Sequence, residues 1–94
     1  MKKIGELECE NGARVKEFPE LLTYRRHREA TTYKVGYTIG QDEYILDGMV
    51  RSRTPTDNKD NHLSEDDSRP IVQEIREQLR KKGFSVSANI SEAE

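Results

Sequence analysis

Between residues 68 and 90, a helical spacing of apolar side chains (Ile71, Val72, Ile75, Leu79) runs into Gly83 and then into Phe84, Val86, Ala88 and Ile90 alternating with Ser85, Ser87 and Asn89. This is a helix, a stop signal and a strand with one apolar and one polar face. Such a strand belongs to a sheet covered on one side only, so the chain is constrained to an α+β fold in which a helix lies on a single sheet. The helix is expected over about 69–82, opening near Ser68 to Pro70, where a proline is tolerated because early amides lack partners. The strand is expected over 84–90. A long loop and a helix separate it from residue 53, so it can lie parallel to a neighbour through a right-handed crossover.

Two hairpins supply the rest of the sheet. In residues 4–18, a loop of Glu10, Asn11 and Gly12 pairs Cys9 with Ala13 and Leu7 with Val15 on one face, and Glu8 with Arg14 and Glu6 with Lys16 on the other. The shorter loop Asn11-Gly12 would mix apolar and charged groups on both faces. Gly12 then takes the left-handed position of the turn, where a Cβ is penalised. In the second hairpin Tyr33, Val35, Tyr37 and Ile39 alternate with polar residues, and after Gly40 to Asp42 the pattern resumes as Tyr44, Leu46, Gly48 and Val50. Loops of two or four residues keep both apolar sets on one face, with Gly48 beneath a cross-strand tyrosine or beside Val35.

The segment from Pro19 to Ala30 supports two readings. Pro19, Glu20, Leu21 and Leu22 followed by Arg25, Arg26 and Arg28 suit a short helix with a basic end, whereas the alternation of Leu22 and Tyr24 with Thr23 and Arg25 suits a strand. The short helix is preferred. Residues 54–68 carry one large apolar side chain, Leu63, among five carboxylates. They are read as a flexible acidic loop.

One domain spans residues 1–94. With 32% hydrophobic residues against 36% charged, its core is thin, and a homodimer or a partner could add to it. The net charge of -2 argues against a surface built wholly for nucleic acid or anionic lipid. Cys9 is the only cysteine, so no intrachain disulfide forms, and a cytoplasmic setting is expected. Met1-Lys2-Lys3 leads into Glu6, Glu8 and Glu10 rather than an apolar run, unlike a signal peptide.

No motif for catalysis stands out. The acidic segment holds Lys59 and lacks the glycine of a calcium loop, and His27, His62 and Cys9 are too few for zinc. No cofactor is expected and the chain is read as no enzyme. Tyr33, Tyr37 and Tyr44 could stack on bases, but they share a face with Val35, Leu46 and Val50 and are assigned to the core. The binding candidates are cations: Arg25, Arg26 and Arg28 in one run, Lys34, and Arg51 and Arg53 on the face opposite Tyr44 and Leu46. Together they suggest a small protein-binding module, such as an inhibitor or adaptor, working through an exposed sheet face or edge. The alternative is a nucleic-acid-binding domain using the same arginines.

Overall fold

The computed structural model describes residues 2–57 and 59–89. These form an α+β domain with one sheet of seven strands and one helix packed against its fifth and seventh strands. The strands are β1 (Glu6–Glu8), β2 (Arg14–Phe18), β3 (Leu21–Arg25), β4 (Thr32–Gly40), β5 (Glu43–Arg53), β6 (Asn61–His62) and β7 (Val86–Asn89); the helix α1 spans Glu65–Lys81. The first six strands are antiparallel in sequence order. β4 lies along one edge of β5, and the other edge is shared by β6 beside Arg51 and Ser52 and by β7 beside Tyr44 to Asp47. β7 runs parallel to β5, as the long connection permits.

The first hairpin has the expected register, with Leu7 opposite Val15, Glu8 opposite Arg14 and Glu6 opposite Lys16. Cys9 N donates to Ala13 O at 2.7 Å, and Gly12 closes the loop at φ 85°. The β4–β5 turn uses the two-residue alternative. Gln41 and Asp42 both have positive φ (52° and 62°), the conformation that matches the twist of antiparallel strands. The register shifts between Val35, opposite Val50, and Tyr37, opposite Leu46. Gly48 falls in this irregularity, so it lies neither beneath a tyrosine nor beside Val35 in the paired register.

The segment after Pro19 is a strand, not a helix. Pro19 and Glu20 make a two-residue turn between Phe18 and its partner Leu21, and Glu20 sits at φ 64°. Proline fixes the same φ for a tight turn as for a helix start, which is why its presence did not discriminate. Alternation decides the matter: Leu22 and Tyr24 are fully buried, and β3 is paired on both sides, by β2 and β4. The basic run Arg26 to Arg28 leads into a turn in which Glu29 N donates to Arg26 O at 3.2 Å.

The helix begins four residues before the expected 69. Ser64 caps it, accepting from Asp67 N at 3.1 Å, and Glu65, Asp66 and Asp67 place negative charge on the first turn, where the helix dipole favours it. Residues assigned to the acidic loop therefore include the start of the helix and β6. Ser68 is buried and its Oγ accepts from Val50 N at 3.1 Å, tying helix to sheet. At the far end Gly83 (φ 92°) lets Phe84 N reach Leu79 O at 3.1 Å, closing the last turn. Ile71, Val72, Ile75 and Leu79 meet Val35, Tyr44, Leu46, Val50 and Val86 in the core. Ile39, expected there, is 45% exposed. Ile90, the last residue of the expected strand, lies outside the described residues. None of the described helices is long and apolar enough to cross a membrane.

Candidate binding face

Strand parity sorts the charges. On β2 to β5 the residues Val15, Leu22, Tyr24, Val35 and Val50 turn toward the helix side and are buried, so their neighbours Arg14, Lys16, Thr23, Arg25, Lys34, Arg51 and Arg53 turn to the uncovered side. The registers align them. Lys16 lies opposite Thr23, Thr23 opposite Lys34, Lys34 opposite Arg51, and Arg51 opposite His62, one row across five strands. Beside it Arg14 faces Arg25 and Thr32 faces Arg53.

Of the six cations singled out from sequence, four (Arg25, Lys34, Arg51 and Arg53) share this face. Arg26 does not. Its guanidinium is held by Glu74 of α1, Nη2 to Oε1 at 2.7 Å and Nε to Oε2 at 3.0 Å, and lies 5.5 Å from the centre of the Tyr33 ring. The same carboxylate accepts from the hydroxyl of buried Tyr24, which in turn accepts from Asn11 Nδ2 at 3.1 Å. The bond from Arg26, aided by that from Tyr24, holds Glu74 below the usual glutamate range although burial opposes it. Burial and then the bond to Glu74 push the Tyr24 hydroxyl well up. Arg26 therefore clamps β3 to the helix. Arg28 occupies the exposed turn at φ 62° and has no place in either row. Arg14, Lys16 and His62 belong to the face but were not among the candidates, although the first hairpin's register already put Arg14 and Lys16 on it.

Lys34 and Arg51 stand directly opposite each other, an unfavourable like-charge pair in a sheet. Asp60, from the segment before β6, offsets it: its oxygens lie 3.1 and 3.2 Å from Lys34 Nζ and 3.8 Å from Arg51 Nη1. The hydrogen bond from Lys34, and then the charges of Lys34, Arg51 and Arg53, hold the Asp60 carboxyl below its ordinary value against some burial. At the rim, Glu8 pairs with Arg14 at 3.4 Å and Glu6 with Lys16 at 3.8 Å. Arg25 makes no ion pair among the described residues.

Next to Lys34 the face opens into a cleft of about 460 Å³ between the Pro19–Glu20 turn and the β4–β5 irregularity. Lys34, Arg51 and His62 line one end, Glu20 and Asp47 the other, with Met49 and Leu21 between them. Gly36 forms part of the floor, and the Asp47 carboxylate lies so close above it that a Cβ there would come within 2.5 Å of Oδ2. Met49 is 52% exposed and Phe18, also on this face, 39%.

The helix side holds a second polar cluster. Glu17 accepts from Ile4 N (3.1 Å), Gly5 N (3.2 Å), Tyr44 Oη (2.8 Å) and Tyr37 Oη (3.1 Å). Burial works to raise the Glu17 carboxyl, but these bonds together outweigh it and bring it below the usual range. Burial leads in pushing Tyr44 up to about 12. One oxygen ties residues 4 and 5 and Tyr44 to β2 and the other accepts from Tyr37, so this cluster is structural. Tyr37 and Tyr44 are buried, as their place among core residues implied. Among the described residues no group of three or more histidine, cysteine or acidic side chains is arranged to hold a metal. Comparison with protein-family models, curated proteins and solved structures returns no match.

Proposed function

We propose that the domain is a non-catalytic protein-binding module, an inhibitor or adaptor, whose uncovered sheet face receives an acidic protein surface. The observation that carries this reading is the in-register row of the cations Lys16, Lys34 and Arg51, ending at His62, flanked by Arg25 and Arg53 and bordered by exposed Met49 and Phe18. Cations steer an acidic partner and set its register, while exposed apolar side chains supply area to bury. The buried free thiol of Cys9 suits a reducing cytoplasm.

The same cations favour a second reading, contact with the phosphates of a nucleic acid. Two features weigh against it. Tyr37 and Tyr44 are buried and leave no tyrosine platform on the cationic face, and Glu6, Glu8, Glu20 and Asp47 border the row.

The test compares nuclease-treated host lysate captured on the wild-type protein and on Lys16→Glu/Arg25→Glu, whose side chains are exposed. Arg25→Glu should cost under about 0.5 kcal/mol of stability, and Lys16→Glu, which sets a second carboxylate opposite Glu6, about 1 kcal/mol. An acidic protein identified by mass spectrometry, retained by the wild type only and bound again from purified components, supports the proposal. Equal capture by both baits refutes it, and binding to purified RNA or DNA that falls steeply with salt favours the second reading.

A further inference from the structure

Resting on that reading, we infer that the cleft beside the cationic row is a specificity pocket for a bipolar stretch of the partner. It seats a carboxylate side chain at the Lys34–Arg51–His62 end and, two residues along an extended segment, a lysine or arginine at the Glu20–Asp47 end.

The spacing supports the pairing of ends. Lys34 and Gly36 are two residues apart on β4, with Asp47 over Gly36, so the charged ends are separated by about 7 Å, one two-residue step of a strand. Successive same-face side chains of an extended partner segment are offset by the same step. The basic end already holds a carboxylate, since Asp60 sits on Lys34 at 3.1 Å. Arg51, however, is 3.8 Å from that carboxylate, beyond hydrogen-bond length, so its fork retains donors for a second one.

The other end has the opposite chemistry. The Glu20 and Asp47 side chains make no ion pair among the described residues, and both are exposed. Glu20 keeps a left-handed backbone (φ 64°) in a turn position where glycine would be unstrained. That conformation belongs to the two-residue turn, whose Glu20 carbonyl accepts from Tyr37 N at 3.3 Å, and it fixes the Glu20 side chain at the mouth of the cleft. Between the ends, Met49 and Leu21 give an apolar wall along which the aliphatic stem of a lysine or arginine can lie.

The probe is a set of extended nonapeptides in a serine–threonine–valine background with Asp-x-Arg, Arg-x-Asp, Asp-x-Asp or Arg-x-Arg at the centre, titrated into the full chain and followed by amide shifts. One of the two bipolar orders, the one matching the bound strand's direction, should bind about five- to tenfold more tightly than Asp-x-Asp, since an attraction replaces a repulsion at one end. Shifts should centre on Gly36, Asp47 and Met49. Asp47→Lys, at an exposed position, should invert the ranking in favour of Asp-x-Asp, and Gly36→Ala, which displaces the Asp47 carboxylate, should flatten it. Asp-x-Asp binding as well as the bipolar peptides, a ranking unmoved by Asp47→Lys in a variant of unchanged melting temperature, or binding of no peptide would each overturn the inference. The acidic-surface reading is judged separately by capture on the Lys16→Glu/Arg25→Glu bait, which leaves the cleft intact.

Discussion

Glu74→Ala should destabilise the domain by about 2–4 kcal/mol, because one carboxylate serves two elements. Its loss strips Arg26 of bonds at 2.7, 3.0 and 3.2 Å and leaves the hydroxyl proton of Tyr24, fully buried, without an acceptor. The stranded hydroxyl accounts for about 1–3 kcal/mol. The Arg26 side chain is 34% exposed and can rehydrate, so the ion pair adds only about 1 kcal/mol. For a domain of this size the sum lowers the melting temperature by roughly 8 °C or more. The assay is guanidinium unfolding of Glu74→Ala, Arg26→Ala and the double variant at neutral pH, with Arg25→Ala as the exposed control. Arg26→Ala should cost clearly more than Arg25→Ala, and the cycle should return a coupling of about 1 kcal/mol. Additive single effects, or equal costs for the two arginines, would refute the assignment of Arg26 to structure rather than to the binding face.

Three further outcomes are expected. Gly12→Val should cost at least about 1 kcal/mol in denaturant unfolding, since φ is 85° and a Cβ would stand 3.0 Å from His27 Cβ; an unchanged midpoint contradicts the turn. Glu17 and Glu74 both titrate below the ordinary glutamate value of 4.5, so the stability they confer is complete above that pH and is lost as pH falls through their depressed values. Unfolding midpoints measured from pH 6 to 3 should therefore drop below about pH 4.5, less so in Glu17→Gln; a flat profile would count against both clusters. Asp60→Asn, which leaves Lys34 facing Arg51 without a full counter-charge, should lower the melting temperature, and the deficit should shrink in 1 M salt as repulsion is screened.

The fold was legible wherever one face of an element had to be apolar. The alternation after Gly83 and the Leu7–Val15 register each admit one arrangement that buries a consistent face, and the structure adopts them; the Tyr33-to-Val50 pattern gives the hairpin but leaves its turn length open, and the register shift after Val35 and the exposure of Ile39 are not written in it. Where local signals serve two structures, the sequence was ambiguous. Pro19 followed by glutamate opens a helix or fills a tight turn equally well, and only pairing with both neighbours, a non-local fact, makes β3 a strand. The helix start was obscured differently. Ser64 and three acids form a capping signal, but the polar run before them reads as loop, and Pro70 at the sixth helical position drew the boundary inward. The cost of that proline is one missing bond to the Asp66 carbonyl, on an exposed turn that water can serve.

The candidate face was half legible for a related reason. Parity alone separates Arg51 and Arg53 from Leu46 and Val50, and it would equally have separated Lys16 from Val15. Strand order is another matter: that Lys16, Lys34 and Arg51 fall on one row depends on β3 lying between β2 and β4, which the helical reading of residues 19–30 excluded. The same error kept Arg26 among the ligands. On a helix, Arg25, Arg26 and Arg28 crowd one basic end; on a strand, Arg25 and Arg26 point to opposite sides, so one is left for a partner and the other meets Glu74. The single decision between periods of 3.6 and 2 at Leu22 and Tyr24 thus fixes which arginines are free to bind and which hold the domain together.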